Sequence, residues 1–207
     1  MIDCKNIQWL GHSSFRVRGR DLVYIDPWEI GGTPEPADII LITHGHHDHC
    51  SESAIAALMK EGTFIVAPPG CSSKLGERII RMRPWEKRLV GDTLVEAVPA
   101  YNTDKPFHPR EAGGLGYVFT VGGMRIYHAG DTDCIPEMSR IRADIALLPV
   151  SGTYVMGPED AARAAALIGA SAAIPMHYGS IVGAAGDAER FAKLAPCRVE
   201  IPRQKDQ

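Results

Sequence analysis

Four histidines and one aspartate lie close together in the segment Thr43-His44-Gly45-His46-His47-Asp48-His49. His44 and His46 are two residues apart at the end of an apolar run, so strand geometry directs both side chains to the same side. Asp48 and His49 follow where the chain turns toward a predicted helix. Imidazole nitrogens and carboxylate oxygens are the ligands that borderline divalent ions prefer, so this segment predicts a site for one or two metal ions. His47 has the opposite parity and is predicted to point away.

The spacing His44-x-His46-x-Asp48-His49 resembles the signature of the metallo-β-lactamase superfamily of binuclear metal hydrolases. The resemblance implies a second carboxylate that ends a strand after a small residue, and Tyr127-His128-Ala129-Gly130-Asp131-Thr132 makes Asp131 the expected bridging ligand. It also implies a late histidine at the end of a strand, which His177 provides in Ile174-Pro175-Met176-His177-Tyr178-Gly179.

One position departs from the pattern of this family. The resemblance implies a third histidine for the first metal ion where this chain has Asn102. Either Asn102 faces the metal through its amide oxygen, or His108, six residues later, completes the site. A first site with only two protein ligands, or a centre that holds a single ion, is the remaining alternative.

Other segments narrow the resemblance to one branch of the superfamily. Leu10-Gly11-His12-Ser13-Ser14-Phe15, Ile25-Asp26-Pro27-Trp28 and Gly130-Asp131-Thr132 resemble ascorbate-phosphate lactonase-like proteins and relatives of N-acyl-phosphatidylethanolamine phospholipase D. His12 either supports the ligands or faces the substrate, or instead binds a backbone carbonyl in a turn. Asp26 follows a strand and is predicted to orient the His44 loop through hydrogen bonds rather than to bind metal.

The predicted chemistry is hydrolysis. Two divalent ions about 3.5–4 Å apart share a hydroxide that attacks a carbonyl carbon or phosphorus, while the ions neutralise the developing negative charge. His44 and His46 hold one ion with Asn102 or His108, whereas Asp48, His49 and His177 hold the other and Asp131 bridges both. The expected ions are Zn²⁺, with Mn²⁺ or Fe²⁺ as alternatives, and the expected catalytic residues are Asp48, Asp131 and His12. Because the ligand set has no nucleophilic serine or cysteine, no covalent intermediate is expected.

The substrate class follows only from the resemblance, which implies a phosphodiester, a phosphorylated lactone or a similar small ester. Pocket walls are expected from the loops over 27–36, 102–114, 151–157 and 179–186. Two functions of other classes are retained as alternatives. One is a di-iron redox protein, and the other is a non-catalytic metal-binding protein with a degenerate first site.

Composition limits the partners. The chain has 207 residues with a formal net charge of −3, and no segment concentrates lysine and arginine, so a nucleic-acid partner is not expected. No apolar run approaches the roughly 20 residues that cross a bilayer, and the first residues do not resemble a secretion signal. The five cysteines form no CxxC pair, which favours a reducing cytoplasm. The expected partner is a small ester or phosphoester, and the sequence leaves a homo-oligomer open.

The pattern of elements predicts two packed sheets covered by helices. Apolar runs predict strands over 22–26, 39–43, 145–150 and 172–176, and helical spacing predicts helices over 51–61, 72–83 and 158–168. The family resemblance implies an α+β fold, a four-layer αββα sandwich. We expect one hydrolase domain over 1–201 and a short tail over 202–207.

Overall fold

The computed structural model describes residues 4–75 and 79–202, and its strands form two sheets. The first sheet has six strands in sequence order. They are β1 (Ile7–Gly11), β2 (Ser14–Arg18), β3 (Leu22–Ile25), β4 (Ile39–Leu41), β5 (Phe64–Ala67) and β6 (Ile79–Arg81). The pairs β1–β2 and β2–β3 are antiparallel, and the following three pairs are parallel.

The second sheet has seven strands, and as in the first sheet each strand lies beside its neighbours in the sequence. They are β7 (Lys87–Val90), β8 (Thr93–Pro99), β9 (Leu115–Val121), β10 (Met124–His128), β11 (Ile145–Pro149), β12 (Ala172–Met176) and β13 (Arg198–Val199). The pairs from β7 to β10 are antiparallel and those from β10 to β13 are parallel. The sheet is therefore mixed, like the first one.

In the described residues, four α-helices lie between the strands: α1 (Glu52–Leu58), α2 (Ser72–Leu75), α3 (Pro158–Ile168) and α4 (Ala185–Leu194). The hydroxyl of Ser51 accepts a hydrogen bond from the Ala54 amide and so caps α1, as its position before the helix predicts. Pro158 occupies the first turn of α3, and Gly169 ends that helix with a φ of 72°, a conformation that glycine adopts without strain. None of the helices in the described part of the chain is long and apolar enough to cross a bilayer.

Alternation along the strands separates the two faces of the first sheet. Val23 and Leu41 pack in the core shared with the second sheet, whereas Tyr24 and Ile40 pack in a separate cluster with Leu58 of α1. Helices α3 and α4 contact each other and cover β11 and β12 of the second sheet. The layers are thus helix, sheet, sheet and helix, and the predicted α+β sandwich is confirmed.

The predicted helix over 72–83 is wrong in its second half. Only Ser72–Leu75 is helical, residues 76–78 lie outside the described residues, and Ile79–Arg81 forms β6 beside β5. Apolar residues near Ile79 fit either a helix or a strand, and pairing with β5 is a long-range interaction that local spacing does not show. Beyond Pro202, the predicted tail lies outside the described residues.

Strand direction places several loops at one edge of the molecule. In the first sheet β1, β3 and β4 run in the same direction, and in the second sheet β8, β10 and β12 do so. His12, Asp26 and His44 follow the first three strands closely. Asn102, Asp131 and His177 follow the other three within a few residues, so the site is assembled from strand ends of both sheets.

Candidate metal centre

Three histidine rings meet at one side of the site. His44 Nε2 lies 3.0 Å from His46 Nδ1, and His108 Nε2 lies 3.0 Å from the same His46 nitrogen. Nitrogens bound about 2.0–2.1 Å from a tetrahedral ion lie about 3.3–3.4 Å from one another, so this spacing is close to that of a shared ion. The three rings therefore form a group that could hold a metal ion.

Asp131 lies between this histidine group and the rest of the site. Its Oδ1 is 3.3 Å from His49 Nε2. Its Oδ2 is 3.2 Å from His177 Nε2 and 3.4 Å from His108 Nε2. Both oxygens of this carboxylate therefore face histidine nitrogens, and the donor atoms of Asp131, His44 and His49 also lie close enough together to hold a metal ion.

A second group contains His12, Asp48, His49 and His177, whose donor atoms converge in the same way. Asp48 Oδ2 lies 3.1 Å from His12 Nε2 and 3.6 Å from His49 Nε2. The rings of His12 and His177 lie 4.1 Å apart between centroids. His12, which the sequence predicts either to support the ligands, to face the substrate or to bind a backbone carbonyl in a turn, therefore lies among the possible ligands. His47 belongs to neither group, and 81% of its side chain is exposed.

Hydrogen bonds fix which ring nitrogen of three histidines carries the proton. The Thr43 hydroxyl donates its hydrogen to Asp26 Oδ2 at 2.6 Å, so at 3.0 Å it accepts from Nδ1–H of His44. His49 Nδ1–H donates to Asp26 Oδ2 at 2.7 Å. His108 Nδ1–H donates to the Tyr154 carbonyl at 3.2 Å. In the neutral form each of these rings therefore directs the lone pair of Nε2 toward the centre.

Burial and charge set the protonation of the site. Burial lowers the pKa of His44 well below its ordinary value, and nearby His49 adds to this effect. Burial alone would raise the pKa of Asp131, but the neighbouring His177 and His49 outweigh it and hold the pKa well below its usual range. Burial opposes a charge on His49, yet Asp131 and Asp26 raise its pKa well above the ordinary value. The carboxylates of Asp26 and Asp131 therefore favour a positive charge beside them, at the position of the His49 ring.

Two buried atoms at the centre have no hydrogen-bond partner. They are His49 Nε2 and Asp131 Oδ1, which face each other at 3.3 Å. Buried polar atoms without partners are costly, and ligand atoms aimed at an ion are a physical reason for them. The donor set, its spacing and these two atoms fit divalent metal ions.

Asp26 holds the histidine loop from behind. Its carboxylate is fully buried and accepts hydrogen bonds from the Thr43 amide at 2.8 Å, the Thr43 hydroxyl and His49 Nδ1. Asp26 thus makes the orienting hydrogen bonds that the sequence predicts. Its own φ of 45° lies in the left-handed region, which is costly for a residue other than glycine and is tolerated where surrounding structure enforces it.

Hydrogen bonds within and around the loop from Asn102 to His108 position these two candidate ligands. The Asn102 side-chain amide donates to the carbonyls of Phe107 at 2.8 Å and Tyr154 at 2.7 Å, and its backbone N–H donates to the His108 carbonyl. These bonds close the loop and bring His108 into contact with His46 and Asp131. Asn102 Oδ1 is buried without a partner. The structure therefore places His108 among the histidine rings and Asn102 at the base of its loop.

Sequence reasoning missed two contributions. Ser151 Oγ lies 3.0 Å from His177 Nδ1 and steadies that ring, although no motif marks this serine. The cavity beside the histidine group also has a wall from 68–71, whereas of the four predicted wall loops only 102–114 lines it. The segment 68–71 follows β5, whose position beside β4 is a property of the sheet and not of the local sequence.

Comparison with known proteins finds a matching family model and similar sequences. Residues 6–177 match the family model described as a beta-lactamase superfamily domain. A UPF0173 metal-dependent hydrolase from Thermococcus onnurineus is 34% identical, with 94% of each chain covered. A second relative with the same description, from Korarchaeum cryptofilum, is 35% identical over 83% of this chain and 82% of its own.

Two solved structures of metal-dependent hydrolases are also similar to this chain. A protein from Parabacteroides distasonis assigned as a metal-dependent hydrolase is 35% identical and superimposes with a TM-score of 0.86, covering 96% of this chain and 93% of its own. A metallo hydrolase from Ignicoccus hospitalis is 25% identical and has a TM-score of 0.76, covering 96% of this chain and 95% of its own.

Proposed function

Because this chain belongs to the beta-lactamase superfamily of metal-dependent hydrolases, we propose that it uses two divalent metal ions to hydrolyse a small ester or phosphoester. The observation that carries the proposal is the orientation of the rings of His44, His49 and His108, which hydrogen bonds at Nδ1 hold in place. Each donates Nδ1–H to the protein and leaves Nε2 directed at the buried carboxylate of Asp131 or at a neighbouring ring.

The proposed ligand set follows the two groups described above, except that His12 is assigned a catalytic role and not a place among the ligands. His44, His46 and His108 hold the first ion, with Asn102 positioning the His108 loop instead of binding metal. Asp48, His49 and His177 hold the second ion, and Asp131 bridges the two. Zn²⁺ suits this set of imidazole and carboxylate ligands, and Mn²⁺ or Fe²⁺ are the alternatives that metal analysis distinguishes.

Bound divalent ions supply a nucleophilic hydroxide near neutral pH and Lewis-acid stabilisation of negative charge on the substrate oxygen. The protein residues orient this chemistry. His12 is a proposed catalytic residue because its Nε2 lies 3.1 Å from Asp48, and burial lowers its pKa so that it is neutral at pH 7. In this state His12 donates Nε2–H to the Asp48 carboxylate and can take a proton only at Nδ1. The imidazolium that forms can then give that proton to the leaving group.

The test compares metal content and hydrolysis in matched variants. Protein purified without a chelator is analysed for bound metal, and the metal-loaded protein is assayed on carboxylic esters, lactones and phosphodiesters. Asp131→Ala is expected to lose at least one ion and to reduce turnover by roughly a thousandfold. The control His47→Ala changes an exposed histidine of the same loop and is expected to keep both properties.

Three outcomes would count against the proposal. Wild-type protein without bound metal would contradict the metal centre itself. A metal-loaded protein that hydrolyses none of the esters would leave the non-catalytic metal-binding alternative. Visible absorbance from iron that changes on reduction would favour the di-iron redox alternative.

A further inference from the structure

A cavity of about 200 Å³ opens beside the histidine group. Its floor contains His44, His46, His108 and Asp131, so a molecule in the cavity contacts the candidate ligands directly. The walls are small or apolar, and apart from glycines they consist of Pro68, Cys71, Ala100, Pro109, Ala112 and Leu115. The chemistry at the floor is thus polar, whereas the space above it is apolar.

Among the described residues, the charged side chains next to this cavity are already paired. Asp131 is the one charged residue among those that line it. Arg110, next to the wall, is paired with Glu137 at 2.9 Å and lies over the Tyr101 ring. Lys105 is paired with Asp133 and Asp104. An anionic group at the walls would therefore gain no cation from these described residues, and its counter-charge could come only from ions held at the floor.

Lys74 is a further cation close to the cavity. Its Nζ donates to the carbonyl of Gly45, which lines the cavity, at 2.6 Å. That hydrogen bond directs the ammonium group at the protein backbone. Because Lys74 is exposed and at the rim, its contribution can be measured separately by substitution.

We propose that this cavity binds an uncharged, apolar group of the substrate, with the size of an aryl ring or a short alkyl chain. The size follows from the volume, because an apolar cavity of about 150 Å³ accepts benzene. The inference rests on the proposed function, because it takes the bound group to be part of the ester that is hydrolysed. It narrows that proposal to esters that carry an apolar group on the His44, His46 and His108 side.

The first test blocks the cavity. A Cβ at Gly70 would meet no atom within 4 Å, so Gly70→Leu places its side chain in open space at the cavity wall. Gly186→Leu is the matched control, since Gly186 also has no neighbour within 4 Å of an added Cβ but lies in α4. Binding of para-fluorobenzyl alcohol to metal-loaded protein is followed by fluorine NMR. We expect roughly tenfold weaker binding in Gly70→Leu and unchanged binding in Gly186→Leu.

The second test changes charge without filling the cavity. Wild-type protein is expected to bind the neutral alcohol roughly tenfold more tightly than para-fluorobenzenesulfonate, whose sulfonate is a poor metal ligand. Ala112→Lys introduces a cation at an exposed wall position and is expected to reduce or reverse this preference. Equal binding of both probes by wild type, or sulfonate binding that Lys74→Ala abolishes, would overturn the inference.

The binding tests are independent of turnover. If the neutral probe binds and Gly70→Leu blocks it while no ester is hydrolysed, the cavity assignment stands and the proposed hydrolysis fails. If esters are hydrolysed but Gly70→Leu binds the neutral probe as wild type does, hydrolysis stands and the cavity assignment fails. The two conclusions are therefore separable.

Discussion

Asp26 is a buried carboxylate that sets the geometry of residues beyond itself. It accepts three hydrogen bonds from Thr43 and His49, and through Thr43 it also fixes the ring of His44. One residue thus determines the protonation of a histidine in each candidate ion group. Partners of this kind affect metal affinity although they do not touch the ion.

We predict that Asp26→Asn weakens metal binding by about 10–100-fold. The amide replaces one acceptor oxygen with an NH₂ group, which then faces either the Thr43 amide or the N–H and O–H groups on the other side. Affinity is measured by competition with a chromophoric chelator. Asp38→Asn is the control, because Asp38 accepts from the Leu22 amide and pairs with Lys60 away from the centre. Equal affinities in both variants would argue against the positioning role.

His128 is a buried histidine that the proposed chemistry does not use. Its Nε2–H donates to the Ser13 carbonyl at 2.9 Å, and its Nδ1 accepts from the Gly130 amide at 3.2 Å. Both ring nitrogens are satisfied only in the neutral form. Burial is the main cause that lowers the pKa of His128, and it outweighs the carboxylate of Asp26, which raises it.

This lowered pKa predicts acid sensitivity. Between the folded pKa of His128 and its unfolded value of about 6.5, the unfolded chain binds more protons, so the free energy of unfolding falls as the pH decreases. The loss from this group amounts to at most about 1.4 kcal/mol per pH unit. Urea unfolding of metal-free His128→Gln should show a shallower loss than wild type below about pH 6.5. The exposed control His47→Gln should follow wild type, and parallel curves for all three would contradict the assignment.

Residue types and spacing predict those parts of the site that lie within short segments of the sequence. The segment from His44 to His49 contains four candidate ligands within six residues, and Asp131 and His177 each follow an apolar strand. The choice between Asn102 and His108 depends instead on a closed loop, held by the bond from Asn102 N–H to the His108 carbonyl. Loop closure is a property of the folded molecule, so the sequence alone leaves both candidates open.

At the scale of elements, the loop before Asp131 joins the two sheets tightly. Gly130 has a φ of 65°, and an added Cβ would lie 2.7 Å from the Leu115 carbonyl oxygen and 3.1 Å from Thr43 Cβ. Leu115 N–H in turn donates to the Thr43 carbonyl. The glycine therefore permits both the turn after β10 and the close approach of the loop after β4.

We predict that Gly130→Ala lowers the free energy of unfolding by about 2–4 kcal/mol, because backbone strain and a contact with rigid backbone add together. Gly122→Ala is the matched control. Gly122 has a similar φ of 59° but no atom within 4 Å of an added Cβ, so it carries the strain without the contact. Its expected cost is about 1 kcal/mol. Equal costs in urea unfolding would show that the close approach is unimportant.

Strand order explains what the sequence predicts about the elements and what it does not. Hairpins such as β9–β10 connect neighbours through Gly122 and Gly123, so their pairing is visible locally. The strand β6 pairs with β5 only after an intervening segment, and its apolar residues fit a helix equally well. The missed cavity wall at 68–71 has the same origin, since it depends on where β5 lies beside β4.

At the scale of the whole molecule, the candidate ligands come from both sheets. His44, His46, Asp48 and His49 follow β4 of the first sheet, whereas His108, Asp131 and His177 follow strands of the second. In the absence of an ion, convergent histidine nitrogens and unpartnered buried atoms remain between the sheets. An ion held by ligands from both sheets is therefore expected to stabilise the packing of one sheet on the other as well as the site itself.

Removal of the metal is accordingly expected to destabilise the entire fold. An ion present at about one hundred times its dissociation constant stabilises the folded state by about 2.7 kcal/mol, which for a chain of this length corresponds to a decrease of several degrees in Tm when a chelator is added. Thermal unfolding with and without chelator measures this difference. His177→Ala, which removes one ligand of the second sheet, should reduce the chelator effect, whereas His47→Ala should retain it. A chelator effect of the same size in His177→Ala would place the stabilising ion away from His177, and the absence of any effect in wild type would show that no bound ion links the two sheets.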